Sequence, residues 1–242
     1  MIFTYGKTRL KVPEGYEYVY YATFIAGEWD FLKVKNTDTV LDAGAFIGDF
    51  TVKVARKAKE VVAVEPLPWA FKLLKENVEL NNLKNVVLVN KALYDTDGVR
   101  LKIIDEGTGS RIGENGIEVD GVTVSSLGKF SVVKMDIEGA EGRVMKSGEW
   151  LDHVKQIAVE LHGRENIEII PKLLRERGFV IRFMTRGDLV RNTVRNVLLH
   201  PFSFIKAEAR TKVVLNYFRR RYSVPALSRE EYKIIYGRRG CL

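Results

Sequence analysis

Residues 39–66 constrain the fold of this chain more than any other stretch. Two short apolar runs, TVLDA and EVVAV, stand on either side of GDFTVKVARKA, which carries a helical pattern. Five-residue runs with almost no polar alternation belong to strands buried on both faces. Two such strands joined by a helix pair in parallel, because a tight hairpin would reverse the chain. The rhythm continues. WAFKLLKENVELNN places Phe71, Leu74 and Val78 on one helical stripe, and NVVLVNKAL reads as a third strand. FSVVKMDIEG, VKQIAVELH, FVIRFMT and TVRNVLLH read as strands four to seven, with a helix over ENIEIIPKLLRERG that ends at Gly178. The alternation predicts an α/β fold, a doubly wound sheet with helices on both faces.

The flanks differ from this core. Residues 1–35 read as one or two short strands and a helix over YATFIAGEWDFLKV, a cap on the domain. Residues 36–200 hold the repeating pattern. Between 94 and 130 the rhythm breaks into turn chemistry (DTDG) and a Gly-rich EGTGSRIGENG, which predicts a hairpin-like insertion with a mobile tip. Residues 201–242 carry ten Lys/Arg and three Glu, whereas residues 1–200 carry 29 basic and 28 acidic groups. The net charge of +8 therefore sits almost wholly in a tail that begins with a helix pattern, FSFIKAEARTKVVLNYFRRRY. That tail mixes aromatics with arginines. It suits a helix docked on its own domain, an anionic membrane surface, or RNA. No signal-like segment and no membrane-length apolar run is visible, and Cys241 is the single cysteine. These features predict a cytoplasmic protein, with a peripheral membrane location through the tail as the alternative.

The loop after the first strand, VLDAGAFIGDF, selects the ligand. Gly44 and Gly48 permit a tight turn and a close approach of backbone to a bound molecule. The spacing G-x-x-x-G fails both the dinucleotide fingerprint and the P-loop. Asp42 at the strand end would repel a pyrophosphate and suit a cationic ligand. Glu65, at the end of the second strand, can accept both hydroxyls of a ribose. A ribose with a positive end and no phosphate describes S-adenosyl-L-methionine.

TVLDAGAFIGDFTVKVA, VVAVEPLP, NVELNNLKNVVLVNKAL and VVKMDIEGAE together resemble the FkbM-type S-adenosylmethionine-dependent methyltransferases, over residues 29–185. The resemblance implies a Rossmann-like class I methyltransferase sheet of seven strands, the last antiparallel, followed here by a basic C-terminal helical extension. It implies that Asp42, Gly44 and Gly48 line the methionine end. Glu65, with Pro66 beside it, would bind the ribose, and Ala92 and Leu93 would edge the adenine. Phe46 falls inside the same loop, where the family usually has a small or polar residue, often Asn.

The acids at the end of the fourth strand carry the chemistry. Ligands of open α/β sheets lie outside the carboxyl ends of the strands. Asp136, Glu138, Glu160 and His162 all fall at that edge. Three roles are open to them. Asp136 or Glu138, helped by His162, could act as a general base. Asp136, Glu160 and His162 could hold a divalent ion, although the simpler expectation is no metal. Asp136 could bind only the cofactor's cationic end, with Glu138 and Glu141 structural and Glu141 favouring the start of a helix. KMDIEG lacks the Asn/Asp-Pro-Pro-aromatic turn common among enzymes that methylate base amino groups. Oxygen is therefore the first acceptor expected, and the family resemblance implies O-methylation of a sugar, glycolipid or other small-molecule hydroxyl; the alternative is an RNA methyltransferase that uses the basic tail.

Overall fold

The computed structural model describes residues 1–212 and 232–240. β1 (Ile2–Tyr5) and β2 (Thr8–Lys11) form an antiparallel hairpin. α1 (Glu17–Tyr20) runs directly into a π-helical turn over Tyr21–Ala26, whose six residues are all buried. The helix stops at Gly27, short of the predicted end, so Phe31 and Leu32 pack from the turns that follow.

The predicted alternation then begins. β3 (Thr39–Ala43), α2 (Asp49–Val54), β4 (Glu60–Val64), α3 (Pro68–Leu80) and β5 (Val86–Val89) follow one another. The predicted insertion is a small second sheet of β6 (Ala92–Leu93), β7 (Arg100–Ile104), β8 (Arg111–Ile112) and β9 (Ile117–Val122), ordered β6-β9-β7-β8 and followed by α4 (Val124–Leu127). β10 (Val132–Met135), α5 (Glu141–Lys146), β11 (Gln156–His162), α6 (Arg164–Glu176), β12 (Phe179–Phe183), α7 (Arg186–Leu199), α8 (Pro201–Thr211) and β13 (Tyr232–Arg239) complete the chain.

The main sheet has seven strands in the order β12-β13-β11-β10-β3-β4-β5. β11, β10, β3, β4 and β5 pair in parallel, while β13 is antiparallel to both β11 and β12. The chain starts at the centre, moves outward to β5, and returns on the other side of β3 as β10. That reversal opens a crevice beyond the carboxyl ends of β3 and β10. Separate apolar clusters cover the two faces. Residues of the N-terminal cap, α2 and α3 pack on one, and residues of α5 and α6 on the other.

Two expectations need correction. Residues 193–200, read as the seventh strand, lie in α7 except for His200, its C-cap. Thr185 and Asp188 form a reciprocal capping box that starts this helix. Its buried face carries Asn192 and Asn196, whose side chains donate to the carbonyls of Gly27 (2.9 Å) and Ile25 (3.2 Å). Polar residues on the buried face hid the helical period. The seventh strand is β13, from the tail that was read as an extension. Position 200 is therefore no domain boundary, because residues 232–239 complete the sheet between β11 and β12. The tail's helix is α8, on which Phe202 is exposed while Ala207 is buried. The rest of that predicted helix, from position 213, lies outside the described residues. Among the described residues no helix is long and apolar enough to cross a membrane.

Candidate active site

The end of β3 is built around a buried ion pair. Asp42 is fully buried, accepts a hydrogen bond from Thr51 Oγ1 (2.6 Å), and lies 3.3 Å from Lys134 Nζ. Lys134 sits at the middle of β10, beside Asp42 in the register, and donates to the carbonyl of Gly44 (2.6 Å). Burial works against its charge, but Asp42, Asp136 and Asp49 outweigh that and hold its pKa above the ordinary lysine value. Asp42 thus already has a cation supplied by the protein itself. Lys134 lines the cleft and Asp42 does not.

The loop turns as the glycine spacing predicts. Gly44 has φ 74°, and a Cβ there would lie 1.8 Å from the carbonyl oxygen of Asp136. Only glycine lets β3 pass so close to the end of β10. Gly48, with φ 85°, lies against Leu74 of α3 rather than in the cleft wall. Phe46 is also left-handed (φ 48°). Its N–H donates to Glu65 Oε2 at 2.8 Å, and its ring packs edge-on against Trp69 with centroids 5.4 Å apart. The ring thus serves as packing, and the backbone of residue 46 makes the polar contact.

Glu65 is buried and accepts from the N–H groups of Phe46 and Leu67, one on each carboxylate oxygen (2.8 Å each). Burial pushes its pKa up to about 7 against these two bonds. One acceptor direction on each oxygen is left for a ligand. Glu65, Pro66, Ala92, Leu93, Gly44 and Phe46 all line one cleft, with an empty volume of about 1170 Å³ including its open mouth. The N-terminal cap contributes Thr23 and Trp29 to its wall, and the small second sheet contributes Ile103 and Arg111. Sequence reasoning had assigned none of these four, or Lys134, to the site. A lysine inside the otherwise apolar VVKM was the one available signal.

Asp136, Glu138 and Glu160 line the same cleft. His162 faces them: its Nε2 lies 3.2 Å from Glu138 Oε2 and 4.0 Å from Asp136 Oδ1. Its Nδ1 lies 2.9 Å from Oε1 of Glu141. Glu141 does stand in the first turn of α5, as expected, but it is wholly buried and does more than start a helix. It accepts from the N–H of Gly139 (3.1 Å) and from Asn166 Nδ2 (2.7 Å), so its orientation, and that of His162, is fixed. Glu138 is a non-glycine residue at φ 51°, a strained position. Burial, then Asp136, push its pKa up to about 8. Burial opposes charge on His162, yet the bond to Glu141 and the nearby Asp136 and Glu160 push its pKa up to about 10. Among the described residues, the ligand atoms that lie close enough to share an ion belong to Asp136, Glu138 and His162, within 4.8 Å of one another. Glu138 takes the place expected for Glu160 in that set.

Comparison with known proteins fits this geometry. A family model for the TRM5/TYW2 methyltransferase domain matches residues 15–106. The tRNA (guanine(37)-N(1))-methyltransferase Trm5b of Pyrococcus abyssi is 40% identical over 57 residues, 24% of this chain and 17% of that protein. Methyltransferase 1 of Beauveria bassiana is 24% identical, with 68% of this chain and 81% of that protein covered. Among solved structures, the methyltransferase FkbM of Methylobacillus flagellatus superposes with a TM-score of 0.56 at 12% identity, over 90% of this chain and 47% of that one.

The fold is that of the Rossmann-like class I methyltransferases, with which this chain shares its sheet across most of its length. The TRM5/TYW2 model matches the stretch that carries Gly44, Glu65, Ala92 and Leu93, and the first relative matched, Trm5b, is spanned over 17% of its length. The residues present fit the cofactor: a buried carboxylate with one acceptor direction left on each oxygen, an apolar wall at Ala92 and Leu93, and a glycine turn that brings backbone to the cleft.

Proposed function

We propose that this chain transfers a methyl group from S-adenosylmethionine to a nucleophile held before Asp136, Glu138 and His162. One observation carries the reading. The carboxylate–histidine set opens into the same cleft as Glu65, Ala92 and Leu93, so cofactor and acceptor can meet there. Glu65 would hold the ribose, Ala92 and Leu93 the adenine edge, and the backbone at Gly44 the methionine end. The cofactor supplies a methyl group on a sulfonium, already activated for in-line displacement. The chain aligns the acceptor, excludes water and takes up its proton. Asp136, Glu138 and His162 would hold the acceptor in line with that methyl group, with a neutral thioether as the leaving group. The acceptor's proton passes to a carboxylate of the site.

RNA is the acceptor class that the comparisons favour over the small hydroxyl expected first. The family model and Trm5b support it, as does the 23S rRNA (uracil(1939)-C(5))-methyltransferase RlmD of Francisella tularensis, 30% identical over 28% of this chain. The basic tail adds charge of the right sign. These matches span small parts of the relatives, 17% of Trm5b and 15% of RlmD. A small hydroxyl acceptor is the second reading, favoured by the carboxylates at the acceptor end, which repel phosphodiesters. Incubation with cofactor labelled in the methyl group, using total RNA, lipid and glycan fractions as acceptors, separates the two. Label released by ribonuclease supports RNA, and label in the lipid or glycan fraction supports the hydroxyl. No label in any fraction, with no binding of S-adenosylhomocysteine, would defeat both.

A further inference from the structure

The acceptor end gathers Asp136, Glu138, Glu160 and the buried Glu141 around one histidine. Carboxylates this close repel one another. Two observations beyond the gathering of acids point to a ligand. Oδ1 of Asp136 is closed off from solvent and has no hydrogen-bond partner among the described residues. The side chain of His162 is only 9% exposed, and Glu141 engages its Nδ1, which turns Nε2 toward Glu138 and Asp136. A carboxylate behind the imidazole is the arrangement that fixes the tautomer of a metal-ligating histidine and raises its basicity.

The geometry points to a divalent cation held by Asp136 Oδ1, Glu138 Oε2 and His162 Nε2, with Glu141 as the positioning residue behind the histidine. Two carboxylate oxygens with one imidazole form an oxygen-dominated set, which suits Mn²⁺ among the divalent first-row ions. The proposal deepens the methyltransferase reading and rests on it for the ion's purpose. A cation there would face the acceptor, lower the pKa of a bound hydroxyl, and offset the repulsion between these acids and a phosphodiester. It thereby removes the physical objection to RNA as acceptor.

The test is titration of the full chain with Mn²⁺, followed by electron paramagnetic resonance of the free ion. One equivalent should bind to the wild type. His162→Ala and Asp136→Asn should weaken that binding by more than about tenfold, and Glu141→Gln by about 10–100-fold, the effect of removing an outer-shell partner. Calorimetry with S-adenosylhomocysteine, in chelator, runs alongside as a measure of folding and of the cofactor site. Cofactor-product binding that persists while no stoichiometric Mn²⁺ binds overturns the cation site alone. Mn²⁺ binding that survives His162→Ala and Asp136→Asn also overturns it. Loss of S-adenosylhomocysteine binding by the wild type overturns the methyltransferase reading instead.

Discussion

Glu65 should make the fold less stable as the pH rises toward neutrality. Its carboxyl ionises near 4.5 in an unfolded chain, and burial raises this to about 7 in the folded one. The folded state therefore holds the proton more tightly. Below pH 4.5 both states are protonated and the preference is fully present. Between 4.5 and 7 the unfolded state ionises first, and the stability it contributes is lost. Above 7 the loss is complete. A gap of roughly 2.5 pH units corresponds to about 3 kcal/mol. Asp49, raised by burial from 3.8 to about 6, acts in the same direction, so the wild-type slope alone does not isolate Glu65.

Glu65→Gln isolates it. The amide does not titrate, but its NH₂ must face either the Phe46 or the Leu67 N–H, because both carboxylate oxygens accept from backbone. A buried donor facing a donor costs about 1–3 kcal/mol at every pH. The variant should thus be the less stable protein near pH 4.5, and should gain on the wild type by about 3 kcal/mol by pH 8. Urea denaturation at unit steps of pH, followed by far-ultraviolet circular dichroism, measures this directly. Stability curves for the two proteins that run parallel would refute the argument, and so would a wild type that gains on the variant as pH rises. A ribose diol donating to Glu65 favours the carboxylate, so S-adenosylhomocysteine should also bind the wild type more tightly at pH 8 than at pH 6.

Other expectations follow from single contacts. Gly44→Ala drives a Cβ into the Asp136 carbonyl at a left-handed position; it should cost about 2–5 kcal/mol in denaturant melts and weaken S-adenosylhomocysteine binding. Lys134→Met strands Asp42 in the core and should cost about 3–5 kcal/mol, whereas the double variant with Asp42→Asn should recover a measurable part of it in a double-mutant cycle. Glu138→Gly relieves a left-handed backbone, so the melting temperature should not fall by more than about 2 °C while labelled-methyl transfer drops at least tenfold.

The parts of this fold that were legible in the sequence are those where burial and local pattern agree. β3, β4 and β10 are buried on both faces and read as apolar runs interrupted by at most a charged residue or two, and the glycines at 44 and 48 turn where their spacing says they should. α7 failed because its buried face includes asparagines that bond to the backbone of the N-terminal cap, a contact 165 residues away in sequence. β13 failed for a different reason. Its KIIYG core is short, flanked by charges, and becomes a strand by pairing on both sides with β11 and β12. Non-local pairing leaves little local trace.

The same distinction explains the site. Glu65 and Asp136 were visible because each ends a strand whose direction fixes where its carboxylate emerges. The partner of Asp42 was not legible, because it lies on another strand. Lys134 neutralises it across the β3–β10 register and reaches the Gly44 carbonyl, so the loop is fastened from beneath by a cation. One consequence concerns the whole cleft. The carboxylate beneath the glycine loop meets a cation inside the protein, whereas the acceptor end gathers Asp136, Glu138 and Glu160 about His162. Glu141, hidden under His162, adds a fourth carboxylate to that group. A positive partner at the acceptor end, whether an ion or a group of the substrate, would lower the repulsion among these acids, and the Mn²⁺ titration separates the two sources.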